Sequence, residues 1–472
     1  MEKIFEKNRI ESFQVIGEWW EKDKTEKVFT GTLSYSPEKI TLELIGADNG
    51  LFSFEDIKTP MEMYGISVGG ESFKINILAK DGSTYSVPGI PVVVYNVQSF
   101  IVGAYTEEYP EKFDSVIYSC DYLTSWITKG VFYEEIIPDR NFRKLEYELP
   151  ESDTFKVSSI NAIIKEYHWG KVKSSDISSY EKSIKHISGF QIKPDEKREF
   201  EWFIKTIRFF KSLLSILVDY KTSNEQFILT AFNKKINRSI EYKYFEQMKE
   251  VGHPLRKKIA PLFEYEDIKS EFENILNRWF EKEEDLKAII SLHLNKFESY
   301  YIESKFLTSI QALEIFHRRF YGGNILDQQI YNQASDKIKE FISEELEGEV
   351  RDFFLAKFKH GNEYNLGKRL RELINKLSQD SKLYIIGKSE RRTSFLQKLI
   401  ETRNYLTHYD DSGKTTILKH PYVKYFAVIR MNIILVFVLL KELGIDEELI
   451  LKKFKDHRNT NFLIEEAKKV FG

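Results

Sequence analysis

Along the first part of the chain, apolar and polar positions alternate. Ile40, Leu42 and Leu44 are separated by Thr41 and Glu43, and Phe73, Ile75 and Ile77 by Lys74 and Asn76. A period of two turns one face to a core and the other to water, as in a half-buried strand. Turn residues punctuate these runs at 46–50, at Gly69-Gly70 and at Asp81-Gly82. Pro88, Gly89 and Pro91 then interrupt the chain ahead of Val92, Val93, Val94 and Tyr95. Repeated short strands with turn signals between them predict an antiparallel β-rich domain, a sandwich or open barrel, up to about residue 190.

Beyond Lys193 the period lengthens. Positions 199–220 carry apolar residues at helical spacing, and a short hairpin follows, with strands at 227–232 and 240–245 around a turn at 233–238. From Pro261 onward the pattern is helical. It predicts helices at 267–280, 283–296, 302–321, 334–358, 366–377, 394–408, 423–443 and 446–454, the third stopped by Gly322-Gly323-Asn324. Short connections favour antiparallel packing in a bundle. The expected fold is α+β and multidomain: a domain over 1–280, β-rich to 190 with a helix and hairpin after it, then an all-helical domain over 281–472.

Composition narrows the function classes. A chain of 472 residues is too long for one ordinary domain. Charges nearly cancel, at net −3, which excludes a surface coated in basic charge but leaves room for a local basic cleft. The single Cys120 excludes an intramolecular disulfide or a paired-cysteine metal site and suits a reducing cytoplasm. The charged first twelve residues do not read as a secretory signal. The run MNIILVFVLL (431–440) is ten residues with Asn432 inside. A membrane span needs about 20 apolar residues, so it reads as a buried bundle helix, and no membrane partner is expected.

The candidate chemistry lies in ETRNYLTH (401–408). Arg403 and His408 enclose four residues. With 18 arginines and nine histidines in the chain, and spacings of four to six residues allowed, roughly one such pair arises by chance, so context must carry it. Arg403 continues the stripe of Leu396, Leu399 and Ile400, and an arginine on a packing face needs an anionic or polar partner. Asn404 and His408 share a helix face. Arg403 and His408 point apart on an ideal helix and converge on one substrate if the helix ends near His408, as Asp410 to Gly413 suggest, or if two copies meet in a dimer. No GxSxG elbow, P-loop, HExxH or acidic cluster of metal-ligand spacing accompanies the motif. Arginine, an amide and histidine fit RNA cleavage without metal or cofactor. Histidine moves protons near neutrality, and arginine holds the extra charge on phosphorus. The other reading of the pair is a surface arginine and a helix-terminal histidine.

At this point the sequence resembles a family. RNYLTH (403–408) in a C-terminal helical bundle looks like the Arg-x4-6-His motif of HEPN domains, and FLTSIQALEIFHRR (306–319) looks like their first helix. GEWW (17–20), GTLSYSP (31–37) and ITLELIG (40–46) resemble the ApeA-like N-terminal domain. The resemblance implies a HEPN endoribonuclease that works as a homodimer, an abortive-infection effector against phage. Arg403 and His408 would be catalytic, Asn404 would assist, and host RNA would be cut, tRNA being a candidate. The N-terminal domain would meet a phage-derived trigger or restrain the nuclease.

Glu314 matches an acidic position of the first HEPN helix and takes a supporting role, or else partners a buried arginine. His317, Arg318 and Arg319 are either an RNA-contacting cluster or a solvated helix end. Trp19 and Trp20 read as core, or as a stacking surface if exposed. The alternative function is a non-catalytic HEPN-type module that binds RNA or protein. A third is a carbohydrate or peptide receptor built on the β domain.

Overall fold

The alternation at the start of the chain closes on itself. The computed structural model describes residues 4–22, 24–46, 61–84, 89–104, 109–120, 122–127, 129–137, 142–174, 182–222, 224–248, 260–297, 299–409 and 415–471. Pro88, the turn residues at 47–50, His253 and Asp410 to Gly413 lie outside them. Six strands, β1 (Phe13–Glu21), β2 (Phe29–Tyr35), β3 (Ile40–Ile45), β4 (Met61–Ser67), β5 (Glu71–Thr84) and β6 (Val92–Ala104), pair antiparallel in the cyclic order β1-β2-β3-β6-β5-β4. This is a closed six-stranded barrel, which removes free edges. Inward positions are those the alternation picks out: Ile40, Leu42, Leu44, Phe73, Ile75 and Ile77 are all buried. Register shifts along the β5–β6 pair let that long ribbon bend.

Trp19 fills the barrel. It is fully buried and meets Phe73 edge-on at 5.5 Å. Gly65 makes room for it, because a Cβ there would stand 2.1 Å from the indole. Trp20, one residue on, is half-buried. The pair is therefore split between core and surface and offers no stacking platform, which removes the main support for the receptor reading.

The remaining strands are β7 (Lys112–Phe113), β8 (Ser115–Cys120), β9 (Phe132–Ile137), β10 (Phe142–Tyr147), β11 (Thr154–Val157), β12 (Ala162–Ser174), β13 (Lys182–Pro194), β14 (Arg198–Glu199), β15 (Asn224–Asn233) and β16 (Arg238–Glu246). The hairpin expected after the first long helix is β15–β16, but it is no appendage. β16 pairs with barrel strand β6 and β15 with β8, so the hairpin joins the barrel to a second sheet, β8-β13-β12-β11. A hairpin's own sequence reports its turn and its apolar face, not the strands beside it. With α1 (Leu123–Trp126), the long helix α2 (Phe200–Val218) lies in this unit. Phe210 of α2 meets Tyr118 of β8 and Phe190 of β13 edge-on, so the helix covers that sheet.

Beside the same sheet runs a buried polar chain. Glu166 accepts hydrogen bonds from Lys129, from the Asp153 N–H and from His168 Nε2 at 3.2 Å. His168 Nδ1 lies 3.2 Å from Ser188 Oγ, which also meets His186 Nε2, and His186 Nδ1 meets the Tyr147 hydroxyl. Burial alone would raise the Glu166 pKa. The bonds from His168, Lys129 and Asp153 outweigh it and hold the carboxyl at about 2.

The described residues divide into two units, Met1–Glu273 and Asn274–Gly472. The expected helix at 267–280 is two, α3 (Tyr265–Ile268) and α4 (Phe272–Glu281), because Ile268 leaves helical geometry at φ −124° and Lys269 pairs with Asp153. The second unit is helical: α5 (Glu283–Leu294), α6 (Ile302–Tyr321), α7 (Gln328–Glu345), α8 (Gly348–Ala356), α9 (Leu366–Asn375), α10 (Gln379–Ile385), α11 (Ser389–His408), α12 (Pro421–Glu442), α13 (Glu447–Asp456) and α14 (Arg458–Phe471). The pattern over 334–358 reads as one helix but is α7 and α8. Asp327 caps α7 early, Leu346 and Glu347 are extended, and the chain restarts at Gly348, whose φ of +57° favours a residue without Cβ. The short α10 and the charged α14 were not expected.

α6 packs against α5, α9, α11 and α12. The apolar run 431–440 belongs to α12. Among the described residues α12 is the one helix long and apolar enough to cross a membrane, and 83% of its most apolar stretch is buried inside the bundle. Asn432, polar within that run, has its reason: its Oδ1 lies 3.2 Å from His293 Nδ1 and 3.3 Å from Ser309 Oγ. Burial pushes the His293 pKa well below its ordinary value, so the ring is neutral there.

Two outcomes are expected. Gly65→Ala forces the Trp19 ring aside and destabilises the barrel by about 1–3 kcal/mol, read as a lower urea midpoint; an unchanged midpoint refutes the close-packing account. The Glu166 carboxyl is more acidic folded than unfolded, so its stabilisation is present above about pH 4.5 and is lost as pH falls towards about 2. Urea unfolding of Glu166→Gln will show a flatter dependence than wild type across that window; parallel curves would show that Glu166 does not carry it.

Candidate active site

α11 carries the motif because one of its faces is committed to the bundle. Phe395, Leu396, Leu399 and Thr402 are buried, and the helix packs on α6 and α9. The expected start at 394 is too late, since the helix begins at Ser389. Thr402 does more than fill space: its Oγ1 accepts the Leu418 N–H at 2.9 Å, tying the returning chain to the helix. A hydroxyl inside a helix reads in sequence as polar filler, so this anchor was missed.

Arg403 follows and is half-buried. Its Nη1–H donates to Asn404 Oδ1 at 3.2 Å, so guanidinium and amide lie side by side. Among the described residues no carboxylate forms an ion pair with Arg403. Buried Arg369 in the same bundle differs. It donates to the Gly322 and Tyr364 carbonyls and lies 3.6 Å from Glu363. The Arg403 charge has only an amide to meet, which leaves donors for an incoming anion.

His408 is the last residue of α11 and is exposed. The stop is made by Tyr409, in the left-handed region at φ 53°, whose N–H bonds back to the Tyr405 carbonyl. A tyrosine with positive φ is uncommon, and sequence offers no signal for it. The helix ends where the catalytic reading needs it to. Asn404 and His408 are one turn apart on one face, whereas Arg403 and His408 diverge by about 140° around the axis. The structure thus brings Arg403 and Asn404 into contact and leaves His408 free at the helix end. Among the described residues the His408 side chain makes no hydrogen bond.

The other candidates lie on α6. Glu314 is half-buried and pairs with Arg318 at 3.5 Å, one helical turn away, and Arg318 also reaches Glu363 at 2.6 Å. Arg319 is exposed, 3.6 Å from Asp285. His317 is not on the surface at all. It is 0% exposed, its Nε2 meets Glu372 at 3.1 Å and its Nδ1 faces Arg369. Burial first, then Arg369, presses its pKa below the ordinary value against the pull of Glu372. The expectation of an RNA-contacting His317-Arg318-Arg319 cluster is corrected for His317, which the α6–α9 packing takes out of solvent, and the two arginines already have carboxylate partners. No ion pair or hydrogen bond links these α6 residues to Arg403 or His408 among the described residues.

The comparison with known families covers both units. The family profile of ApeA N-terminal domain 1 matches residues 14–279, and that of Apea-like HEPN matches residues 307–449. No curated protein sequence and no solved structure matches the chain. HEPN domains are associated with ribonuclease activity, act on RNA and often dimerise. The chain belongs to the ApeA family, ApeA N-terminal domain 1 followed by an Apea-like HEPN domain, a family of antiphage defence effectors.

Proposed function

We propose that this chain is a metal-independent endoribonuclease, with Arg403, Asn404 and His408 as its catalytic residues and host RNA, tRNA among it, as its substrate. The observation that supports this most is a half-buried arginine without a carboxylate partner, bound to an amide that lies one turn ahead of a histidine with an unbonded side chain at a helix end. In the reaction the ribose 2′-OH gives up its proton, O2′ bonds to the adjacent phosphorus, and the P–O5′ bond breaks as O5′ takes a proton. The products are a 2′,3′-cyclic phosphate and a 5′-OH. Neutral His408 accepts the first proton, and a protonated imidazole supplies the second. Arg403 holds the non-bridging oxygens as they gain charge, and Asn404 fixes the guanidinium fork.

One helix points Arg403 and His408 apart, so the reading includes a homodimer in which a second copy completes the cleft and supplies the second imidazole. Glu314 takes a positioning role through Arg318. Residues 1–280 serve as the domain that meets a phage-derived trigger and restrains the helical domain, 281–472, in the cytoplasm.

The test is incubation of total tRNA with wild type, His408→Ala and Arg403→Ala in EDTA, with 3′ ends assayed for cyclic phosphate. Wild type should yield discrete cyclic-ended fragments. His408→Ala should lose at least about 100-fold in rate and Arg403→Ala about 100–1000-fold, both with unchanged melting temperature. Undiminished cutting by folded His408→Ala overturns the site, and activity that EDTA removes and a divalent ion restores overturns the mechanism. Silence of wild type with and without phage lysate favours the non-catalytic binding module.

A further inference from the structure

A second arginine in the bundle has no carboxylate partner among the described residues. Arg430 of α12 is 1% exposed. Its guanidinium carbon lies 4.7 Å from the ring centre of Phe471 on α14 and 5.4 Å from that of Phe395 on α11, and these two rings meet edge-on at 5.3 Å. Its Nε is fully buried and bonds to nothing. No carboxylate pairs with it among the described residues. The charge that does act on it is another cation: burial first, and repulsion from Arg391 second, draw its pKa down to about 10.

The neighbouring side chains repeat this imbalance. Arg391, Phe395 and Lys398 fall at i, i+4 and i+7, on one face of α11. Lys398 Nζ sits 5.6 Å from the centre of the same Phe471 ring. Neither Arg391 nor Lys398 has an ion-pair partner among the described residues, while on α14 Lys468 and Lys469 pair with Glu465 and Glu466. Ring faces attract a guanidinium but accept none of its in-plane N–H bonds. Arg430 and Lys398 therefore meet at one pair of rings, with Arg391 one helical turn before Phe395 on the same face, and none of the three has a carboxylate partner among the described residues, an arrangement that an anion would stabilise. A planar N–H fork fits phosphate oxygens two at a time, and lysine adds a point charge.

We propose that Arg430, Arg391 and Lys398 form a phosphate-ester binding site between α11, α12 and α14, filled by a backbone phosphate of RNA or by the phosphate of a free nucleotide. The site is independent of the catalytic reading. Phe395 lies roughly 12 Å along α11 from Arg403, and neither Arg403 nor His408 takes part.

The experiment is thermal unfolding of the full chain in sodium phosphate against sodium chloride at equal ionic strength, which cancels general screening. Phosphate should raise the melting temperature of wild type by a few degrees, on the order expected for a saturated weak site. The rise should vanish in Arg430→Met, which keeps an apolar stem between the rings. It should also vanish in the double variant Arg391→Ala/Lys398→Ala, which leaves the core intact and so serves if Arg430→Met does not fold. No phosphate-specific rise in wild type, or an undiminished rise in the variants, overturns the site. A non-cleavable 2′-O-methyl RNA oligomer and adenosine 5′-monophosphate, compared at equal phosphate concentration, identify the source. A larger shift with the oligomer that the double variant loses assigns the RNA backbone; equal shifts assign the free nucleotide. His408→Ala should respond like wild type, which separates failure of this site from failure of the nuclease reading.

Discussion

A charge removed from water must be met by an opposite charge, a hydrogen bond or a ring face, and this constraint sorts the interior of the protein from its sites. Where the fold needs a polar residue inside, it meets it. Glu166 has Lys129, His168 and a backbone N–H. Arg369 has two carbonyls and Glu363. His293 and Ser309 share Asn432 across three helices. Against these, Arg403 meets only an amide, and Arg430 only two rings. Arginines cannot escape by losing their proton, so the unmet ones mark the places where an anion would be welcomed.

The same constraint explains why α11 can hold such groups steadily. Its buried face, Phe395 to Thr402, is fixed by apolar packing and by the Leu418 N–H on Thr402, and the fixed face determines where the others point. Arg403 emerges at the edge of the packed surface and His408 at the end of the helix. A site carried by a packed helix keeps its geometry better than one carried by a loop. The left-handed Tyr409 adds local strain to end the helix on His408 rather than a turn later.

How much of this was legible in the sequence depended on range. Short-range patterns survived well: the alternation at Ile40–Ile45 marks the buried face of β3, and α6 has the bounds its apolar spacing predicts. RNYLTH was visible, and so was the end of its helix, where Tyr409 turns left-handed. Long-range facts were not visible. Nothing local says that β1 pairs with β4 to close the barrel, or that β15–β16 sits in the middle of a sheet. The burial of His317 depends on Arg369 and Glu372, about 50 residues away, so in sequence it looks like one more basic residue at a helix end. The α7–α8 break lies in the extended backbone of Leu346 and Glu347 ahead of Gly348, and helical periodicity runs through it unchanged.

A net charge of −3 gives the proposed RNA chemistry a particular character. Proteins that grip nucleic acid everywhere do so by neutralising many phosphates, and their affinity falls steeply with salt. Several surface cations in this chain are paired with acids, as at Arg318, Arg319, Lys468 and Lys469. Arg403 and Arg430, on α11 and α12, have no carboxylate partner among the described residues. Long-range attraction for RNA is then weak, and discrimination rests on whether a strand can bring phosphates to those few arginines in the right geometry. Because Arg403 and His408 leave one helix about 140° apart, that geometry is not complete on a single motif. Joining two copies would then do more than raise affinity: it would bring an imidazole from one helix to the phosphorus held by the arginine of the other.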